Sequence, residues 1–228
     1  MSSKDQLLTY LKAYPNAVGK VVDYTPGTDK LYSFDFTASN AELGIDVISD
    51  SGKFSAWVCD KLNSGYYKYG IGGYMEHRTI YARSTHFDTS DEPRRLHLGI
   101  DIWGNTGTPV YSPLDGVIHS FQDNDSFGDY GPTIILLHNL DGLALYSLYG
   151  HLSRENLDGL TLGQKISKNQ QIATFGNVNE NGNWPPHLHF QLMFDMEGKA
   201  GDYPGVAKFS EKEMWLKNIP DPNLILRF

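Results

Sequence analysis

Eight histidines punctuate the chain, and four of them stand where their neighbours and spacing can do chemistry. In His97-Leu-Gly-Ile-Asp101 an imidazole and a carboxylate flank Gly99, which disfavours a helix, so the stretch reads as a turn running into a strand that can aim both groups at one point. In Pro185-Pro186-His187-Leu188-His189-Phe190 the two prolines mark a strand start, since neither can donate to a sheet ladder. Beyond them the side-chain period is two, so His187 and His189 share one face while Leu188 and Phe190 take the other, buried one. His151 closes an apolar run in Tyr149-Gly150-His151-Leu152, where Gly150 permits a bend or a close backbone approach.

Nitrogen and oxygen ligands together suit Zn²⁺, and two imidazoles with one carboxylate leave a fourth position open, the pattern of a catalytic rather than a structural zinc. Hydrolysis of an amide at such a site needs a proton acceptor for water, a donor to the oxyanion and a proton source for the leaving amine. No His-Glu-x-x-His helix is present to supply the base, which leaves His151 and His187 as the natural replacements. Taken alone, His97 with Asp101 equally describes a hydrogen-bonded turn pair, and His187-x-His189 a structural use. Their joint occurrence with His151 in one β-rich region points to a site. His119 and His138 lie in strand-like runs and read as packed or edge residues, and His77 and His86 as loop residues. Cys59 reads as a buried small side chain on a helix. Asp123, Asp125 and Asp129 read as a solvated loop lacking the closing Glu of an EF-hand.

The elements that must position these groups are mostly strands. From about residue 71 to 197, short apolar or alternating runs (108–111, 116–121, 133–138, 144–149, 170–175, 187–194) are separated by turn signals, among them Asp141-Gly142, a strong hairpin dipeptide. No helical period intervenes, so an antiparallel sheet is expected rather than βαβ units. Residues 1–70 look mixed α/β. A capping box on Ser3 and Gln6 opens a helix carrying Leu7, Leu8, Leu11 and Tyr14 that Pro15 stops. Tyr32, Phe34 and Phe36 alternate as a strand, and Phe54, Trp57, Val58, Lys61 and Leu62 form a second helix ended at Gly65. Ser210 and Glu213 suggest a last cap before a short helix over Met214 and Trp215, terminated by Pro220 and Pro222. The fold expected is β-rich α+β: a mixed N-terminal segment (1–70), an antiparallel β-sheet domain (71–200) and a C-terminal extension with a short helix (201–228).

The formal charge of −8 argues against a nucleic-acid binder that neutralises phosphates and against docking on an anionic membrane. Apolar runs reach about six residues, far short of the roughly 18 that span a bilayer. The N-terminus shows no apolar core behind a basic start, so either the protein works inside the cell or its export signal is not in this chain. A single cysteine excludes an internal disulfide and a Cys-based zinc site. No feature sets the oligomeric state.

At these residues the chain resembles the lysostaphin/LytM-type zinc metalloendopeptidases, the M-23 peptidase family. The resemblance runs from about His97 to Leu192 through His97-Leu-Gly-Ile-Asp101, Gly107-Thr-Pro-Val110, Asp115-Gly-Val117, Tyr149-Gly-His-Leu152 and His187-Leu-His-Phe190. It implies a compact antiparallel sheet with a narrow groove floored by zinc, ligands at His97, Asp101 and His189, and catalytic histidines at His151 and His187. It implies as substrate the cross-links or stem peptides of peptidoglycan. The segment Phe175–Pro186 departs from the Gly-rich, Ser/Thr-bearing stretch usual there and alters one groove wall. Tyr81 and Arg83 fall where the family places groove-lining residues and are candidates for oxyanion or substrate contact. Two other readings are a cytosolic zinc amidohydrolase for another small peptide and a non-catalytic binding or regulatory module.

Overall fold

Each element starts where local chemistry provides a cap or a turn. In the computed structural model, which describes residues 1–83, 87 and 92–228, helix α1 spans Ser3–Ala13. Its capping box is Ser2 with Asp5, one residue ahead of the expected Ser3/Gln6 pair, and only Leu7 of its apolar residues is buried. Strand β1 (Leu31–Phe34) leads through a short helix α2 (Ile45–Ile48) to α3 (Ser51–Ser64). The Asp50 side chain caps α3 by accepting from the Gly52 and Lys53 amides. Phe54, Val58 and Leu62 form its buried stripe, which leaves Cys59 on the outer face; it is exposed, not buried as its residue type suggested. Strand β2 (Tyr69–Gly72) follows and pairs parallel with β1, as a helical crossover requires.

The remaining strands are β3 (Leu96–His97), β4 (Ile100–Trp103), β5 (Pro109–Tyr111), β6 (Gly116–Asn124), β7 (Gly131–Leu140), β8 (Leu143–Gly150), β9 (Lys165–Ile166), β10 (Gln171–Thr174), β11 (His187–Met193) and β12 (Val206–Ala207). Eight of the described strands form one sheet in the order β1-β2-β4-β11-β8-β7-β6-β9, antiparallel at every pairing but β1–β2. Asp141 and Gly142 form the two-residue β7–β8 turn with φ of +53° and +93°, the left-handed pair a type I′ hairpin needs. Two small ladders, β5–β10 and β3–β12, flank the sheet. Helices α4 (Lys212–Asn218) and α5 (Asn223–Leu226) end the chain. The expected Ser210/Glu213 capping box is absent: Ser210 instead bonds the Glu92 carboxylate, and α4 starts without a side-chain cap. Helix α4 ends ahead of Pro220, as expected, and Pro222 then caps the start of α5. No described helix is long and apolar enough to cross a membrane.

Alternation along β4 and β11 divides the molecule. Ile100, Ile102, Leu188, Phe190 and Leu192 face the main apolar core. Asp101, Trp103, His187, His189 and Gln191 face the other way, toward a second cluster built on Phe34, Phe36, Phe54, Trp103, Tyr81 and Trp184. The N-terminal strands and α3 thus add an aromatic wall beside the polar face of the central strands.

His138 lies buried on the core side of β7, with Nδ1 2.9 Å from the Asp115 carbonyl oxygen and Nε2 2.7 Å from Ser147 Oγ. Burial pushes its pKa down from 6.5 to about 4. The unfolded chain therefore binds a proton at His138 that the native chain refuses, so stability is full above about pH 6.5 and falls as the pH drops toward about 4. The expected contribution is about 1.4 kcal/mol lost per pH unit within that window. Chemical denaturation at pH 7.5 and 5.0 should show a smaller acid-induced loss for His138→Gln than for wild type; equal losses would mean that His138 does not titrate on unfolding.

Candidate metal centre

Strand register brings together residues far apart in the chain. In the β4–β11 ladder Asp101 stands opposite His189 and Trp103 opposite His187; β8 sets Gly150 opposite His189; and β2 sets Gly72 opposite Asp101. His97 enters from β3. All three of His97, Asp101 and His189 are buried and form the one potential metal-holding group of His, Cys, Asp and Glu among the described residues.

The hydrogen bonds behind each imidazole decide which nitrogen carries a lone pair. His97 Nδ1 lies 2.9 Å from the Gly73 carbonyl oxygen, which can only accept, so Nδ1 holds the proton and Nε2 faces inward bare. Gln191 donates its amide to the Pro204 carbonyl at 3.0 Å, which turns its Oε1 toward His189 Nε2, also at 3.0 Å. His189 Nε2 is thereby the protonated nitrogen and Nδ1 faces inward bare. His97 Nε2 and His189 Nδ1 are 2.9 Å apart, and Asp101 Oδ1 is 3.1 Å and 3.0 Å from them. Two lone pairs and a carboxylate oxygen in so tight a triangle repel unless a cation sits among them. Donors about 2.0–2.1 Å from a tetrahedral Zn²⁺ stand roughly 3.3 Å from one another, so the triangle needs little adjustment to fit that ion. Burial, with Arg78 adding to it, lowers the His97 pKa to about 3, which keeps the ring neutral and able to ligate. Burial alone would raise Asp101, but the Arg78 guanidinium holds its carboxyl well below the usual range.

The second pair of histidines follows the same logic. His151 Nδ1 is 2.8 Å from the Asn181 carbonyl and His187 Nδ1 is 2.8 Å from the Pro185 carbonyl, so both rings present a bare Nε2. Their centroids are 4.1 Å apart. Burial lowers the pKa of both, that of His187 to about 4. His151 sits in the left-handed region at φ +63°, held by its amide to the Tyr130 carbonyl at 2.7 Å and by its carbonyl to the Gly176 amide at 2.9 Å. Both carbonyls that orient these rings come from the segment Phe175–Pro186.

A cleft of about 190 Å³ opens over the cluster, lined among others by Asp101, His151, His187, His189, Tyr81, Trp103, Tyr130 and Trp184. Trp103 stacks on His187 with centroids 4.0 Å apart and planes 10° from parallel. Tyr81 lines the cleft, with its hydroxyl 3.2 Å from Arg78 Nη1. Arg83 is not brought to the cluster: it donates to Ser51 Oγ at 2.7 Å and packs over Trp184 at 4.6 Å, behind the cleft wall. His77, His119 and His138 lie elsewhere, and His86 falls outside the described residues. Asp123 and Asp125 pair with Arg154.

Four residues near the cluster were not singled out from sequence: Arg78, Trp103, Tyr130 and Gln191. Gln191 continues the period-two face of His187 and His189 and was within reach of that argument. Tyr130 was not, because its place depends on two distant glycines. A Cβ at Gly205 would lie 1.7 Å from its hydroxyl, and one at Gly150 would lie 2.6 Å from its ring.

Comparison with known proteins bears on the same stretch. Residues 95–202 match the family model described as Peptidase family M23. Over 143 residues the chain is 30% identical to peptidoglycan DD-endopeptidase ShyA of Vibrio cholerae, covering 58% of this chain and 30% of that protein. Over 128 residues it is 28% identical to an L-Ala–D-Glu endopeptidase of Bacillus subtilis, covering 53% of this chain and 37% of that protein. The chain thus spans about a third of the length of these curated relatives. Among solved structures, the catalytic domain of lysostaphin from Staphylococcus simulans aligns at 22% identity with a TM-score of 0.41, over 71% of this chain and 96% of that one.

Proposed function

We propose that this chain, whose residues 95–202 carry a peptidase family M23 domain, is a zinc-dependent endopeptidase hydrolysing peptide bonds in the cross-links or stem peptides of peptidoglycan. The observation that carries the reading is the buried triangle of His97 Nε2, His189 Nδ1 and Asp101 Oδ1, set beside two further imidazoles with bare Nε2 atoms. Residues 71–200 are taken as the metallopeptidase domain, 1–70 as an N-terminal segment whose Phe34, Phe36 and Phe54 pack behind the cleft-lining Trp103, Tyr81 and Trp184, and 201–228 as its C-terminal extension.

His97, His189 and Asp101 would hold the ion. Zn²⁺ bound there supplies Lewis-acid activation of water and of the scissile carbonyl. The chain's own groups then move protons. His151 and His187, kept neutral by burial, accept a proton at Nε2 from the attacking water and return one to the leaving amine. Trp103 holds the His187 ring flat against it and keeps water from that face. Arg78 can only donate, so its bond to Tyr81 is accepted by the phenol oxygen, and the phenol hydrogen is left for an oxyanion in the cleft. Removing one such donor typically costs about 10²-fold in rate. Tyr81→Phe is therefore expected to lower kcat about 10²-fold with zinc content and KM little changed. An unchanged kcat would remove Tyr81 from the mechanism.

The named activities of the two curated relatives support a peptidoglycan-type peptide as substrate. That polymer lies outside the cytoplasm, so this reading sets the working compartment as periplasmic or extracellular. The test is mass spectrometry of fragments released from purified sacculi of several cross-link types. Zinc-loaded wild type should release peptides whose masses identify the bond cut. No release from any sacculus by zinc-loaded protein would overturn the substrate assignment.

A further inference from the structure

The segment just ahead of the family match contributes to the metal centre directly. The Gly73 carbonyl fixes the His97 tautomer, and Arg78 reaches the ligand Asp101. Arg78 is fully buried, although a guanidinium is strongly disfavoured inside a protein unless its donors are satisfied. Here they are satisfied in a specific order. Nη1 bonds Asp101 Oδ2 and also lies 3.2 Å from the Tyr81 hydroxyl. Nε donates to Glu76 Oε2 at 2.7 Å, and the other Glu76 oxygen accepts from the Phe36 amide at 3.2 Å. The guanidinium lies over the Phe36 ring, 5.1 Å from its centroid. Gly72 makes the room: a Cβ there would lie 2.5 Å from Arg78 Nη2.

We propose that Arg78 is a positioning residue of the metal centre, engaging one oxygen of Asp101 so that the other faces the two imidazoles, and holding the Tyr81 hydroxyl in the same grip. The inference rests on the metal-site reading above. Its physical basis is the division of Asp101: Oδ2 goes to Arg78, while Oδ1 stands 3.1 Å and 3.0 Å from His97 and His189. A carboxylate so divided offers one oxygen to an ion and cannot rotate to chelate it with both. Glu76 balances the charge of Arg78, so the arrangement orients Asp101 without adding net charge. The planar fork is essential, because four partners in different directions (Glu76, Tyr81, Asp101 and the Gly73 carbonyl) are reached at once; a lysine ammonium on a flexible stem cannot reproduce that geometry. Outer partners of metal ligands typically contribute 10- to 100-fold to metal affinity or activity.

The test uses the full chain with Arg78→Lys and Arg78→Gln, and His97→Ala as the control for the site itself. The readouts are the zinc dissociation constant by chelator competition and the visible spectrum of the cobalt-substituted protein, which reports ligand geometry independently of turnover. Arg78→Lys keeps a cation beside both carboxylates and is the variant expected to fold; if Arg78→Gln gives no cooperative melt, Arg78→Lys decides. The expected result is zinc affinity weakened about 10-fold or more and altered cobalt bands in a folded Arg78→Lys protein. Zinc affinity within twofold of wild type with an unchanged cobalt spectrum would overturn the proposal, even if the melting temperature fell, since that is all a purely structural role would do. If wild type and His97→Ala bound zinc equally poorly, the metal-site reading would fail instead, so the two failures are distinguishable.

Discussion

His151→Ala should bind zinc as wild type does and hydrolyse substrate about 10²- to 10⁴-fold more slowly, the range general acid–base groups contribute. Retention of zinc follows from geometry. The donor triangle consists of His97, Asp101 and His189, and His151 stands outside it with its Nδ1 tied to the Asn181 carbonyl. Loss of rate follows from its bare Nε2, its closeness to His187, and a pKa held well below the usual value by burial. The same shifts set a pH expectation. A base must be unprotonated, and both rings are pushed down, His187 to about 4. The acid limb of kcat/KM should therefore lie below the ordinary histidine value of about 6.5. Metal analysis alongside rate measurements checks both halves. A fully active His151→Ala protein would remove it from proton transfer, and loss of zinc would place it among the ligands.

What the sequence revealed and what it withheld separate along a physical line. Local periodicity was legible: the two-residue period put His187 and His189 on one face with Leu188 and Phe190 on the other, and Asp141-Gly142 specified the β7–β8 turn with its positive φ angles. Contacts fixed by packing between distant segments were not. Arg78 meets Asp101 because β2 and β4 are neighbours in the sheet, and no spacing rule connects residues 78 and 101. Tyr130 reaches the cleft because Gly150 and Gly205 both lack a Cβ. The Ser210/Glu213 pair has the composition of a cap, yet Glu92 competes for Ser210 and wins, so a local motif was overridden by a bond across the fold. Arg83, with the right chemistry and a plausible position, is drawn to Ser51 and Trp184 instead. Residue type and spacing thus identified the groups facing the cluster, whereas the partners that fix their tautomers and orientation follow only from tertiary structure.

Removing a ligand should abolish both zinc binding and hydrolysis, but His97→Ala and Asp101→Ala should differ in stability. His97→Ala takes one nitrogen from the triangle and leaves behind only the Gly73 carbonyl, a neutral group. It should lose zinc to a chelator that wild type resists, with modest change in the stability of the metal-free chain. Asp101→Ala also strips Arg78 of one of its two carboxylate partners, leaving Glu76 alone to balance a buried guanidinium. Breaking a buried ion pair from one side typically costs about 3–5 kcal/mol, so metal-free Asp101→Ala should unfold at clearly lower denaturant than metal-free His97→Ala. Metal content per chain and denaturant midpoints of the metal-free proteins decide the matter. A His97→Ala protein that kept one zinc per chain would refute the ligand set. Equal midpoints for the two variants would leave the ligand set standing and show that the buried Arg78 does not need Asp101 to balance its charge.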